Sequence, residues 1–420
     1  IPKSNEGRTD IACSVENILN FTIFLQKFFV RYNAKEQMSM KLKRKLSEFL
    51  KRETVLTVAV FLAIVSAVMT PPDREYAGYI DFRTLSILFC LMTVMAGLQK
   101  LGVFRNIAKT LLRYTQNTIQ LVEVLVLLCF FFSMIITNDV SLITFVPFTF
   151  IVLRLTGEEA VKKLAVPVIV LQTIAANLGS MLTPIGNPQN LYLYGKTQMS
   201  AGTFILLMLP YSLVSLLLLV ICGVIVAKRS RIEVRGAEVL LTEDEKLEQK
   251  KYLLPAYLLL FVLCLLTVAH MIPYPVTLVT VALAVLLLDR GTMIKVDYSL
   301  LLTFVGFFIF IGNMGRMPAF CDFLQKIIGG REVMTAVIAS QVISNVPAAL
   351  LLSGFTENIT ALIIGTNLGG LGTLIASMAS LISYKQVARQ IPGEKKKYFG
   401  WFTIANIVFL MILVLENCLL

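Results

Sequence analysis

Apolar runs of about the length needed to cross a bilayer recur along this whole chain, separated by short polar or basic stretches. Roughly 20 apolar residues in helical form match a hydrocarbon core ~30 Å thick, so lipid is the solvent this pattern is written for. The runs fall near 54–70, 84–98, 119–136, 140–154, from 162, 202–227, 252–270, 275–289, 298–314, 360–384 and 400–418. In lipid every backbone amide and carbonyl needs a partner inside the segment, which leaves helices as the expected element. The expectation is an all-α polytopic membrane protein with about 11 transmembrane segments.

Charged residues are only 15% of the 420, against roughly 25% in a soluble domain. The formal net charge of +12 would suit a nucleic-acid partner, but the Lys and Arg residues sit between the runs, with no basic face interleaved with aromatics. No nucleic-acid partner is expected. The seven cysteines are scattered without a CxxC pair and read as small hydrophobes. A lone His270 makes no metal site by itself, and no GxxxxGK[ST] loop marks an ATP-driven pump. An intramembrane hydrolase needs a His or a paired-Asp constellation, so the chain is not expected to be an enzyme and needs no cofactor.

The organisation follows the charge pattern. Residues 1–53 hold an extension without signal-peptide order and a basic amphipathic surface helix at Lys41–Arg52. Residues 54–227 and 252–420 form two halves joined by the hydrophilic loop 228–251. If the segments meeting at Asn138 and at Asn345 are re-entrant hairpins, loops 99–118, 155–163, 228–251, 290–297 and 384–397 share one face and carry nearly all the loop Lys and Arg. The positive-inside rule then puts the N-terminus in the cytoplasm and the C-terminus outside.

The two halves repeat each other. With residue 177 laid over 367, Asn177-Leu178-Gly179 matches Asn367-Leu368-Gly369, Thr183 matches Thr373, Ile185 matches Ile375 and Tyr194 matches Tyr384. Upstream, Thr137-Asn138 and Ser344-Asn345 each separate two apolar segments. On this topology the copies enter from opposite sides, which makes an inverted repeat whose interrupted segments point to a transport site.

The interruptions are Thr183-Pro184-Ile185-Gly186-Asn187-Pro188-Gln189-Asn190 and Gly369-Gly370-Leu371-Gly372-Thr373. Proline lacks an amide and glycine tolerates positive φ, at Gly186 and Gly372, so both segments should unwind at mid-membrane. Their carbonyls suit a dehydrated cation, and the half-helices starting near Pro188 and Ser377 aim partial positive charge at an anion. Asn138 and Asn345 suit hairpin-tip ligands, amide oxygen to a cation and amide nitrogen to an anion. The plainer alternative makes Asn138 and Asp139, like Ser344 and Asn345, N-caps of the following helices. Asp139 is the clearest carboxylate deep in an apolar region, fit to bind Na+ or carry a proton. Glu123 and Glu416 read as interfacial, and Arg154 and Lys228 as snorkelling anchors. The Phe130–Phe132 and Phe307–Phe310 stripes read as packing.

Taken together, Thr137-Asn138-Asp139, Ser344-Asn345-Val346-Pro347, Leu182-Thr183-Pro184-Ile185-Gly186-Asn187-Pro188-Gln189-Asn190 and the later Gly372-Thr373-Leu374-Ile375-Ala376-Ser377 resemble the ion transporter superfamily with the citrate-transporter-like domain. The first triad looks closer to its arsenite permease / sodium–proton antiporter branch, and the tip pairs are similar to those of divalent anion–sodium symporters. The resemblance covers about residues 50–420. It implies elevator-type transport and scaffold domains and a homodimer, with Asn138 and Asn345 as tip ligands and Thr183, Gly186, Asn187, Thr373 and Ser377 in the unwound loops. Substrate and ion contacts are then expected from Thr137, Asn138, Asp139, Asn177, Thr183, Gly186, Asn187, Asn190, Ser344, Asn345, Asn367, Gly370, Gly372, Thr373 and Ser377. Na+ would sit among Asn138, Asp139, Thr183, Asn345 and Thr373. Asp139 and Val346 stand where the symporters have Thr, and the second half has no counterpart of Asn187-Pro188.

The expected function is secondary active transport of a small anion, a carboxylate or oxyanion, coupled to Na+ or H+, across a bacterial inner (plasma) membrane. Arsenite or antimonite efflux and sodium–proton exchange are the alternatives within that class, and a channel lies in another class.

Overall fold

The computed structural model describes residues 53–232 and 251–420. The extension 1–39, the basic helix at Lys41–Arg52 and most of the 228–251 loop lie outside the described residues.

Among the described residues the α and 3-10 helices are the only regular elements. In chain order the α-helices are α1 Thr54–Met69, α2 Tyr76–Tyr79, α3 Phe82–Lys100, α4 Val103–Leu112, α5 Thr118–Ile136, α6 Asn138–Thr156 and α7 Glu158–Ser180. They continue with α8 Pro188–Lys196, α9 Ala201–Ser230, α10 Leu254–Val268, α11 Tyr274–Leu288, α12 Arg290–Met293 and α13 Tyr298–Gly315. The last are α14 Pro318–Ile328, α15 Glu332–Ile343, α16 Asn345–Leu352, α17 Ile359–Leu368, α18 Met378–Gln390 and α19 Lys395–Leu419. Residues Ala59–Leu420 form one compact unit.

Local chemistry sets the boundaries. Asp81 and Asp297 cap α3 and α13 alike, each accepting a bond from the backbone amide three residues on, at 3.0 Å. Asn117, Ser200 and Asn358 do the same for α5, α9 and α17. Prolines open α8, α10, α11 and α14, where a missing amide costs nothing.

Among the described residues seven helices are long and apolar enough to cross a membrane: α3, α5, α6, α7, α9, α13 and α19. Phe61, Leu206, Leu217, Ile404 and Met411 lie more than half exposed along such helices or along α1. In water that surface would be a liability; in lipid it is ordinary. The protein is therefore an all-helical polytopic membrane protein. At the centre sits α7, most of its residues buried, with α5, α6, α9, α18 and α19 packed around it. Helix α3 packs against α10 and α11.

Both Asn-centred segments turn back on themselves. Helices α5 and α6 pack together, with Phe132 and Phe145 ring centroids 5.2 Å apart across the tip, and α15 packs on α16. The arms of the first hairpin are 19 residues each, longer than the sequence pattern suggested, whereas α15 and α16 have 12 and 8.

Polar contacts join loops that the charge pattern assigns to the same face. On one side Lys100 pairs with Asp289 at 3.0 Å, Arg154 donates to Gln390 Oε1 at 2.9 Å, and Lys397 donates to the Lys162 carbonyl at 3.2 Å. On the other, Arg316 pairs with Asp73 at 2.6 Å, and Lys196 donates to the Ser353 carbonyl at 3.2 Å. Burial pushes the Asp289 carboxyl up, but the bonds from Lys100 and Thr292 outweigh it and hold the group below its usual value. The Arg316 hydrogen bond likewise holds Asp73 low. Arg154 is thus tied to Gln390 rather than merely snorkelling.

Candidate functional site

The site is built on two helix breaks that share one unusual backbone conformation. Thr137, between α5 and α6, has φ 73° and ψ 154°; Ser344, between α15 and α16, has φ 74° and ψ 153°. This region is open to glycine and closed to ordinary side chains, at a cost of about 1–3 kcal/mol each. Neither Thr137 nor Ser344, the residue at the N-cap position of α6 and of α16, makes a side-chain cap. The next residue in each chain segment reaches an unwound loop: Asn138 N donates to the Gly186 carbonyl at 3.3 Å and Asn345 N to the Ala376 carbonyl at 2.9 Å.

The same correspondence runs through both loops. The stretch between α7 and α8 and the stretch between α17 and α18 are non-helical, as Pro184, Pro188 and the glycines imply. Thr183 donates its hydroxyl to the Met134 carbonyl and Thr373 donates to the Gln341 carbonyl, at 3.0 Å in the second case. A Cβ added at Gly179 would stand 2.6 Å from Ser133 Oγ, and one at Gly369 would stand 2.6 Å from Ser340 Oγ. Each hairpin is therefore pressed against its own unwound helix in the same register.

Amides then tie one half to the other. Asn177 Oδ1 accepts from Asn138 Nδ2 at 3.1 Å and from Ser377 Oγ at 2.9 Å, while Asn177 Nδ2 reaches the Gly370 carbonyl at 3.4 Å. Across the same centre, Asn367 Oδ1 accepts from Asn187 Nδ2 at 3.5 Å, and Asn367 Nδ2 donates to Asn190 Oδ1 at 2.7 Å. Ser377 thus takes the place of Asn187, for which the second half has no Asn-Pro counterpart. Asn190 Nδ2 also holds the Thr183 carbonyl at 3.2 Å. All of Asn138, Asn177, Asn187, Asn190, Asn345, Asn367 and Ser377 are buried.

Several details differ from expectation. Gly186 does not adopt positive φ; its lack of a side chain matters because a Cβ there would meet the Ser180 carbonyl oxygen at 2.1 Å. Gly372 does have positive φ, at 107°. Thr183 and Thr373 spend their hydroxyl protons on hairpin carbonyls, and Thr373 is exposed. Ser344 Oγ leans to the Ala376 carbonyl at 3.4 Å, and Gly370 lies against the Asn345 amide. Both carboxylate oxygens of Glu123 are buried without a hydrogen-bond partner, beside Gly223 of α9. One oxygen of Glu416 is buried in the same way.

Residues that the sequence reading passed over complete the site. Gln341, on the last turn of α15, donates to the Gly369 and Leu371 carbonyls at 3.1 and 2.9 Å and accepts from Thr373 N at 2.8 Å. Ser180 receives Asn187 Nδ2 at 2.7 Å. A polar residue inside an apolar hairpin arm was the signal for Gln341.

The network leaves two buried oxygens open, Asn187 Oδ1 and Asp139 Oδ1. Hard oxygen donors of this kind suit a monovalent cation. No cluster of three His, Cys, Asp or Glu suited to a metal occurs among the described residues.

A family of citrate transporters matches this chain over residues 45–360. An uncharacterized transporter of Methanocaldococcus jannaschii is 31% identical over 86% of this chain and 94% of its own length. An inner membrane protein of Escherichia coli is 32% identical over 74% of this chain and 82% of its own. A silicon efflux transporter of Oryza sativa subsp. japonica is 32% identical over 36% of this chain and 30% of its own. The relatives are named as transporters or membrane proteins and none of these three as an enzyme. With three quarters of its length inside that match and a full-length relative above 30% identity, this membrane protein belongs to the citrate transporter family.

Proposed function

We propose that this membrane transporter is a secondary active transporter that moves a small anion, a carboxylate or oxyanion, coupled to Na+ or H+. The observation that carries the reading is the twofold occurrence of one strained tip, at Thr137 and Ser344, each followed by an Asn bonded to its own unwound loop, with the two unwound segments joined through Asn177 and Asn367. A break of that kind inside an apolar protein is maintained only where a cavity or a solute makes use of it. The oxygens of Asn187 and Asp139 offer cation ligands, and the first amides of α8 and α18 aim partial positive charge at an anion. Within this reading the halves are inverted repeats, with the hairpins and broken helices in a moving domain of an elevator-type dimer. The N-terminus and the 228–251 loop face the cytoplasm.

Uptake into proteoliposomes tests it. A labelled carboxylate or oxyanion should accumulate under an imposed Na+ or pH gradient and equilibrate without one. Conductance that needs no gradient coupling would make the protein a channel and end this reading.

A second reading has one specific support. Apart from Asp139 the candidate residues carry no charge, and a relative is a silicon efflux transporter. Efflux of a neutral oxyacid such as silicic or arsenous acid fits a site without Lys or Arg. Proton-driven exit of the undissociated acid from loaded vesicles, with no carboxylate transport, would select it. Alkali-driven Na+ exit without any oxyacid would select sodium–proton exchange.

A further inference from the structure

Helices α7, α9 and α19 leave a groove of about 500 Å³ between them, and no residue of the unwound loops lines it. Its rim at one end is cationic: Lys162, Lys163, Arg229 and Lys397. Its body is apolar, with Val170, Leu171, Ile225 and Val408 along the walls. From Lys397 to Val408 the helix rises about 16 Å, close to half of a ~30 Å hydrocarbon core, so the groove is one leaflet deep.

The rim charge is only partly compensated. Lys163 pairs with Glu159 at 2.6 Å and Lys397 with Glu394 at 3.1 Å. Lys162 and Arg229 have no ion pair within 4.0 Å among the described residues. Trp401, the chain's single tryptophan, lines the groove one turn below Lys397, where an indole marks the headgroup level. Ile404 and Val408 are 69% and 48% exposed, so the groove opens toward lipid.

We propose that this groove is a binding site for one anionic phospholipid, its phosphate held by Lys162 and Arg229 and an acyl chain laid along Val170, Ile225 and Val408. A zwitterionic lipid would set a choline cation against four basic groups. A free phosphate has no use for the apolar walls. A second copy of this chain on a twofold axis would face the same cationic rim with itself. Juxtamembrane basic groups favour anionic headgroups. The proposal does not depend on which solute the protein carries.

The test is thermal unfolding of the purified full-length protein in a neutral detergent, with added phosphatidylglycerol, phosphatidylcholine or inorganic phosphate. Phosphatidylglycerol should raise Tm by about 1–2 °C at a tenfold excess over its Kd, and the other two should not. The double variant Lys162→Gln/Arg229→Gln should lose that rise, while Arg113→Gln/Lys385→Gln, on the same face, keeps it. Ile225→Trp, which fills the body and leaves the charges, should also lose it, so a folding defect in one variant does not decide the matter. Equal shifts with both lipids, a full shift with phosphate alone, or an unchanged shift in both groove variants overturns the proposal. A change of oligomeric mass in the groove variants, with the lipid response intact, assigns the groove to a second copy and overturns it as well.

Discussion

Ser377 donates its hydroxyl to Asn177 Oδ1 at 2.9 Å, so a residue that opens α18 in one half is held by an amide from the unwound helix of the other. The same oxygen takes the Asn138 amide at the first hairpin tip. Asn177 is therefore the acceptor on which two elements depend, and what happens to it should be felt at both.

Replacing Asn177 by Ala strands two buried donors. We expect a loss of about 1–3 kcal/mol per abandoned group, read as a lower unfolding midpoint in detergent, together with loss of transport. Asn177→Asp, which keeps an acceptor oxygen there, should retain more stability than Asn177→Ala. Equal stability of the two would mean that the acceptor role is not what matters.

Thr137→Gly removes the penalty of a β-branched residue at φ 73°. Relief of about 1–3 kcal/mol competes with roughly 0.5–1 kcal/mol of added freedom in the unfolded chain. The variant should be at least as stable as the wild type, yet transport more slowly, because its tip no longer has one preferred shape. A marked drop in the unfolding midpoint would contradict the strain described for this tip.

Asp139→Asn keeps the size of the side chain and removes its charge and its titration. Because Asp139 Oδ1 has no hydrogen-bond partner, folding and membrane insertion should be unaffected while gradient-coupled transport falls at least tenfold. Retained coupling in reconstituted vesicles would take Asp139 out of the mechanism.

The pair of Asp73 and Arg316 makes an acid-sensitive contact. Hydrogen bonding from Arg316 puts the folded-state pKa of Asp73 below its ordinary 3.8. A lowered carboxylate pKa adds stability that is complete above the ordinary value and disappears as pH falls through the lowered one. Wild type should thus unfold at a higher temperature than Asp73→Asn at neutral pH, with the gap closing as pH falls below about 3.8. A gap that stays constant over that range would show that the carboxylate charge contributes nothing.

Gln341→Met substitutes the residue type that the first hairpin carries at Met134. Three hydrogen bonds to the second unwound loop disappear, and the unfolding midpoint should drop by an amount equivalent to about 2–3 kcal/mol. If transport and stability both survive, that loop is fixed by something else.

Much of this was legible in the chain because polar residues and prolines in an apolar background leave few places to go. The register of Asn177 over Asn367 and the tips at Asn138 and Asn345 could be read directly, and the helices do break there. Gln341 was not legible: its worth lies in three bonds to a loop far along the chain, and a single polar residue in a helix arm does not announce its partners. Gly186 was noticed for the wrong property, since close approach of a carbonyl and positive φ both demand glycine and only geometry separates them. The cover that Gly223 gives the Glu123 carboxylate was not legible, because distance from a segment end does not reveal which neighbour packs on a side chain. The serine at 377 hid its equivalence to Asn187 because a hydroxyl and an amide can donate from the same spot.

The asparagines that cross between the halves have a consequence for biogenesis. While the ribosome is still making the second half, Asn177 has no Ser377 and Asn190 has no Asn367, so the earlier portion enters the bilayer with amide groups satisfied only in part, by Asn138 and the Thr183 carbonyl. It must wait, loosely structured or chaperoned, until its sibling arrives. Two separately expressed pieces divided within 233–250 should accordingly be rescued only by each other's presence.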